Sequence, residues 1–197
     1  MNIERLYKAI QLAAKAHEGQ KRKGKNPAPY ITHPVFVGME LLMLGCDENT
    51  VIAGILHDTL EDTHLNGDAI GREFGDEVLN IIAFVTESKD PNMTNEEKIK
   101  TWEARKEAYL ERLKSAPAES RVVACVDMWA NIWALNQTIK EDGANALNMF
   151  NVDMDKKLKH WHKELYLLAE DKDSPHLKIL PDIKNMLMVM EKSLNKK

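Results

Sequence analysis

Residues 55–64 read ILHDTLEDTH and set five ionisable side chains, His57, Asp58, Glu61, Asp62 and His64, directly behind the apolar residues Val51, Ile52, Ala53, Ile55 and Leu56. Imidazoles and carboxylates so near a core segment are the groups that hold a divalent cation and move protons. The adjacent His57 and Asp58 are weak evidence alone, because neighbours on a helix point about 100° apart. Asp127 strengthens the pattern: it lies in an apolar run, behind Val122, Val123, Ala124, Cys125 and Val126 and ahead of Trp129, Ile132 and Trp133. A buried, unpaired carboxylate costs several kcal/mol, so Asp127 requires a cation, either a lysine in a buried salt bridge or a metal ion. His33 opens one predicted helix while His57 and Asp58 close another, so helix packing could gather two imidazoles and two carboxylates around one ion. That donor set suits manganese, iron or zinc better than calcium. Glu61 and Asp62, three and four residues past Asp58, share its face if the helix persists, where they could hold a nucleophilic water or shuttle its proton. The plainer alternative for them is an acidic helix end facing water.

The elements that must position these groups read as helices. Residues 3–18 carry Ile3, Leu6, Ile10, Ala13, Ala14 and Ala16 at helical spacing and bring His17 towards a basic stretch, GQKRKGKNPAPY, whose glycines and prolines make it a loop. Helices are expected at 33–45, with Pro34 in the first turn and Gly45 at the exit, and at 47–60 with Asp47 as N-cap. Further helices are expected at 68–74, 76–85, 96–114, 119–139, 144–170 and 181–193, with a surface loop at 86–95. No alternation of the strand type, repeat or low-complexity segment is seen. The expected class is all-α, a single domain whose motif-bearing part spans about 3–140, followed by C-terminal helices at about 144–193.

With 197 residues, 44% hydrophobic and 29% charged, the chain is of a size and composition for one soluble domain. Its net charge of −4 argues against a nucleic-acid partner. No apolar run approaches the ~18 residues of a membrane span. Cys46 and Cys125 follow no metal-ligand spacing and suit a reducing, cytoplasmic setting.

Four ordered stretches, HEGQKRKGKNPAPYITHP, GILHDTLEDT, FGDEVLNIIAFVTES and VDMWAN, resemble the HD-domain hydrolases of guanosine tetraphosphate and pentaphosphate. These are the hydrolase half of the RelA/SpoT family and its small stand-alone, Mesh1-like relatives. The resemblance implies an α-helical HD domain in which His33, His57, Asp58 and Asp127 bind one divalent metal, manganese first, with iron or zinc as alternatives. It implies that Glu61 and Asp62 activate water for attack at the 3′-pyrophosphate, that Arg22 and Lys23 lie against the guanine and phosphates, and that Asn131 contacts the substrate. The basic loop has a physical reason in this reading, since cations at Lys21, Arg22, Lys23 and Lys25 neutralise a pyrophosphate, and an arginine plane stacks on a purine.

The sequence departs from the family at Met128, Trp129 and Ala130, where a basic residue, a leucine and a histidine or tyrosine are usual, and at Ala134, where a small hydroxyl residue is common. KNPAPY also lengthens the basic loop. Two alternatives therefore stay open: a phosphohydrolase acting on another nucleotide or on NADPH, and a sensor that binds an alarmone without cleaving it. No synthetase-like α/β stretch is read, and a homodimer through the C-terminal helices is a further open alternative. Trp129, Trp133 and Trp161 are expected in the core or an interface, Arg105 and Lys106 either reaching a phosphate from their helix or on a solvated helix face, and His64, His160, His162 and His176 in surface or interhelical bonds.

Overall fold

The structure, a computed structural model, describes residues 1–24, 27–87, 93–143, 146–147, 150 and 152–194. Among these the chain forms α1 (Ile3–Ala16), α2 (Thr32–Met43), α3 (Glu48–Leu56), α4 (Thr59–Asp62), α5 (Gly67–Phe74), α6 (Asp76–Val85), α7 (Asn95–Lys100), α8 (Trp102–Lys114), α9 (Ala118–Asp142), α10 (Met154–Leu168) and α11 (Leu180–Leu194). The fold is all-α; extended pairing among the described residues is limited to one bridge between Lys21 and Pro29. No described helix is long and apolar enough to cross a membrane.

Local chemistry sets the boundaries that matter for the site. Pro34 falls in the first turn of α2, where its missing N–H costs nothing. The helix ends where Gly45 adopts φ 82°, and the N–H groups of Gly45 and Cys46 donate to the carbonyls of Leu42 and Leu41 at 3.1 Å each, a Schellman cap. Asp47 then caps α3, accepting from Thr50 N at 2.9 Å and Thr50 Oγ1 at 2.8 Å. So the α2–α3 hairpin turns in a few residues, and its two helices pack side by side. Their approach is close: a Cβ on Gly38 would stand 2.5 Å from Ile55 Cγ1, and one on Gly54 would stand 2.2 Å from Leu41 Cδ1. Helix α9 crosses α2, α3 and α6 and is buried along most of its length, from Val122 to Ile132, with α10 and α11 closing its far side.

Several predicted boundaries change. The helix expected at 47–60 is interrupted at His57 and Asp58. There His57 Nδ1 donates to Gly54 O at 2.7 Å and Thr59 Oγ1 donates to Leu56 O at 2.6 Å, side-chain donors that compete for the carbonyls a continuing helix would use. The helix expected at 96–114 divides at Thr101, whose hydroxyl takes Glu97 O at 2.7 Å. The one expected at 144–170 begins only at Met154, behind the Asp153 cap, because Gly143 at φ 63° ends α9. Of the expected loop 86–95, residues 88–92 lie outside the described residues, and Glu87 is buried instead of solvated.

The tight α2–α3 contact yields a prediction. Ala is a better helix former than Gly by about 1 kcal/mol, but overpacking a filled core costs about 1–3 kcal/mol, and both Ile55 and Leu41 are buried with little room to move. Gly38→Ala and Gly54→Ala should therefore each lower stability, by about 1–2 kcal/mol, measured by denaturant unfolding. An unchanged or raised midpoint would show that the contact is not limiting.

Candidate metal centre and its pocket

The interruption after α3 gives the His57–Asp58 pair its function-ready geometry. With the helical ladder broken, the two side chains converge, His57 Nε2 lying 3.1 Å from Asp58 Oδ1. His33, from the first turn of α2, places Nε2 3.6 Å from Asp58 Oδ2, and the two imidazoles meet edge to face at 5.3 Å between centroids. Ligand atoms of His33, His57 and Asp58 all lie within 4.8 Å of one another. Asp127, from the middle of α9, points Oδ1 at both rings, 2.9 Å from His33 Nε2 and 3.4 Å from His57 Nε2. Three helices thus bring together the four residues expected from the sequence.

Whether this cluster suits a cation can be read from His57. Its Nδ1 is committed as donor to Gly54 O, so in the neutral ring Nε2 carries the lone pair. That nitrogen is buried, makes no hydrogen bond, and faces two carboxylates. A lone pair aimed at two anions is repulsive unless positive charge lies among them. In the absence of an ion a proton supplies it: burial opposes charging His57, but Asp58 and Asp127 outweigh burial and hold its pKa well above the usual value. Reciprocally, Asp58 and Asp127, which burial would raise, are held well below the carboxylate range by the histidines. The donor set of two imidazoles and two carboxylates fits a borderline divalent metal.

Outer groups fix the ligands. Tyr30 donates from its hydroxyl to Asp58 Oδ2 at 2.7 Å; burial and the nearby Asp58 raise its pKa far above the phenol range, so it stays a donor. Asn131, one turn past Asp127, donates Nδ2 to Asp127 Oδ1 at 2.7 Å and accepts at Oδ1 from Arg22 at 2.8 Å. Arg22 also lies over the Tyr30 ring, 5.5 Å from its centroid, and His17 packs against that tyrosine with ring centroids 4.7 Å apart. The basic loop is pinned at its base, Tyr30 N donating to Gln20 O and Arg22 N to Ala28 O at 2.9 Å each. Lys25 and Asn26 lie outside the described residues.

Glu61 and Asp62, on the short α4, line the same pocket. Glu61 Oε2 accepts the backbone N–H of Glu87 at 2.8 Å, which ties α4 to the segment after α6. Glu87 is itself paired with Arg105 and Lys106 of α8. These two cations, for which a phosphate contact and a solvated face were both open readings, line the pocket. Tyr30, Glu87, Arg105, Lys106 and Lys157 were outside the expected site set; the one available sequence signal was the closeness of Tyr30 to His33 in the same loop. The pocket holds about 940 Å³, the upper range for a small-molecule site. Trp129 does not face it: its Nε1 donates to Asp182 Oδ2 of α11 at 2.8 Å. Trp133 does, 38% exposed and packed on Phe36 at 5.1 Å.

Comparison with known proteins places the chain in a family. The HD domain family matches residues 9–138. A GTP pyrophosphokinase of Streptomyces coelicolor is 44% identical over 84 residues, covering 43% of this chain and 10% of its own length. A guanosine-3′,5′-bis(diphosphate) 3′-pyrophosphohydrolase of Borreliella burgdorferi is 40% identical over 85 residues, covering 43% of this chain and 12% of its own. The chain therefore spans only a small part of the length of these curated relatives. Among solved structures, a metazoan orthologue of SpoT, described as hydrolysing ppGpp and acting in starvation responses, is similar at TM-score 0.72 and 22% identity, over 91% of this chain and 93% of that one. A Listeria monocytogenes protein is similar at TM-score 0.69 and 22% identity, over 81% and 99%. At such identity these two describe the fold.

Two outcomes follow from the cluster's charge. A divalent ion entering it displaces the His57 proton, so manganese binding near pH 7 should release about one proton and weaken as pH falls. Calorimetry in two buffers of different ionisation enthalpy measures that number; zero protons released would contradict the charge assignment. Tyr30→Phe, which removes the hydroxyl from Asp58, should weaken manganese binding about 10-fold while leaving the unfolding midpoint nearly unchanged.

Proposed function

The chain belongs to the HD-domain family, and from that membership we propose that it is a metal-dependent hydrolase removing the 3′-pyrophosphate of guanosine tetraphosphate or pentaphosphate to leave GDP or GTP. The observation that carries the reading is the buried His57 Nε2 facing Asp58 and Asp127, a place made for a cation, opening on a pocket lined by lysines and arginines. The names of the Borreliella relative and the metazoan orthologue support the substrate.

His33, His57, Asp58 and Asp127 would hold the ion, manganese first, with iron or zinc compatible with the same donors. When bound, it supplies Lewis-acid charge to a phosphoryl oxygen and lowers the pKa of water. The remaining work falls to the chain. In the hydrolysis, water oxygen adds to the phosphorus attached to the ribose 3′ oxygen, that P–O bond breaks, and pyrophosphate departs while the 3′ oxygen takes up a proton. Glu61 and Asp62 are the pair that removes the proton from water, with Glu61 held in place by the Glu87 N–H. Arg22 and Lys23 offset the negative charge of the substrate, and Asn131 links that arginine to Asp127. The free thiols of Cys46 and Cys125 suit a cytoplasmic setting.

One feature favours a different nucleotide, including NADPH, as substrate: Met128, Ala130 and Ala134 on the pocket wall, where the family resemblance leads one to expect a basic residue, a histidine or tyrosine, and a small hydroxyl residue. Substrate profiling of the manganese-loaded protein separates the readings. Guanosine tetraphosphate should be turned over, chelation should abolish that activity and added manganese should restore it. Asp62→Asn and Glu61→Gln should each lower kcat by about 10²–10⁴-fold with metal content unchanged. Preferred turnover of another nucleotide would move the assignment to that substrate, and binding without turnover would leave a sensor.

A further inference from the structure

The pocket contains a second charged cluster, of which the function proposed above uses only Lys23. Lys157, in the first turns of α10, points its ammonium among three aromatic rings, 4.6 Å from the Phe150 centroid, 5.3 Å from Trp161 and 5.9 Å from Trp102. Phe150 is shared: Lys23 of the basic loop lies 5.7 Å from the same ring. Lys106 of α8 is close enough for Lys106 and Lys23 both to repel Lys157. Burial first, and then this repulsion, lower the Lys157 pKa to about 8 against a partial offset from Glu87. Glu87 cannot neutralise the group, since Arg105 and Lys106 already share it. Aromatic rings hold an ammonium without cancelling its charge, unlike a carboxylate. Three lysines from three separate segments are thus gathered, at an energetic cost, around a space that opens on the pocket.

The basic loop joins this cluster to the metal centre. Arg22 turns towards Asn131 and Asp127, whereas its neighbour Lys23 turns towards Phe150 and Lys157. Tyr109 also lines the pocket, its ring under Lys106 at 5.4 Å, and burial with Glu164 and Asp127 raises the pKa of its hydroxyl. A ligand spanning the pocket would meet positive charge in two places. Phe150, Lys157 and Trp161 all lie beyond the residues matched by the family, 9–138, so this part of the pocket is supplied by the chain's own C-terminal helices.

Resting on the function proposed above, we propose that Lys23, Lys106 and Lys157 form a second phosphate subsite that receives the 5′-phosphates of the nucleotide whose 3′-pyrophosphate lies at the histidine–carboxylate centre. The substrate class is then a nucleotide phosphorylated at both ends, and Lys157 is the residue that distinguishes it from one phosphorylated only at the 3′ position.

The test is steady-state kinetics of the manganese-loaded full chain on guanosine 3′-diphosphates with two, one or no 5′-phosphates. In the wild type KM should rise as 5′-phosphates are removed. Lys157→Met should raise KM for the doubly 5′-phosphorylated substrate about tenfold, with kcat within about twofold, and should flatten the dependence on 5′-phosphate number; Lys157→Arg should restore it. An equal loss on all three substrates would assign Lys157 a merely structural role and overturn the proposal. Calorimetric binding of GDP and of guanosine, which carry no 3′ group, keeps the subsite testable if the wild type cleaves none of these compounds. GDP binding about tenfold tighter than guanosine, with the difference lost in Lys157→Met, would uphold the subsite while the hydrolase reading fails. Equal affinities for the two would sink the subsite itself.

Discussion

The absence of side chains at Gly38 and Gly54 sets how near α2 can lie to α3, and the metal centre is built on that distance. His33 comes from the first turn of α2 and His57 from the end of α3, and the rings meet at 5.3 Å where Gly38 and Gly54 let the two helices pack closely. The Schellman cap at Gly45 and the Asp47 cap that follows make the turn short enough to hold the two helices in this register. Helix α9 then lies across the pair and delivers Asp127 as the fourth group. A small displacement at the glycine contact would be passed directly to the ligand atoms, since interiors packed at crystal density transmit strain instead of absorbing it.

Charge organises the rest. Two buried carboxylates and two buried imidazoles are tolerable together only with positive charge among them, and the tautomer fixed by Gly54 O leaves His57 Nε2 directed at the place where that charge belongs. Around this acidic centre the pocket wall is basic, with Arg22 on one side and Lys23, Lys106 and Lys157 on another. Opposite signs in one cavity suit a ligand that is itself anionic and reaches a cation, which is the logic of phosphoryl chemistry. The net charge of −4 conceals this local pattern, because bulk charge averages over the surface.

The departures from the family pattern divide into two kinds once their positions are known. Trp129 donates to Asp182, fastening α9 to the last helix, so that change serves the joining of the C-terminal helices to the core. Met128, Ala130 and Ala134 instead line the pocket. The same C-terminal helices return Lys157 and Trp161 to the pocket, so one set of contacts both covers α9 and enlarges the binding surface.

The helical class and most helices were legible in the sequence because apolar spacing at three and four residues is a local property, and so were the Asp47 cap and the exit at Gly45. His33, His57, Asp58 and Asp127 could be nominated because ionisable residues inside apolar runs require partners wherever they occur. What the sequence could not contain was the break at His57–Asp58, which depends on side-chain donors winning two carbonyls, or the burial of Glu87, which depends on Arg105 and Lys106 arriving from a helix eighteen residues away. Lys157 was equally invisible, since its aromatic surroundings come from α8, α10 and the segment before α10. Residue types and local periodicity thus determined which groups needed a partner; only long-range packing decided which partner each one met, because that choice depends on distances between segments that no local pattern encodes.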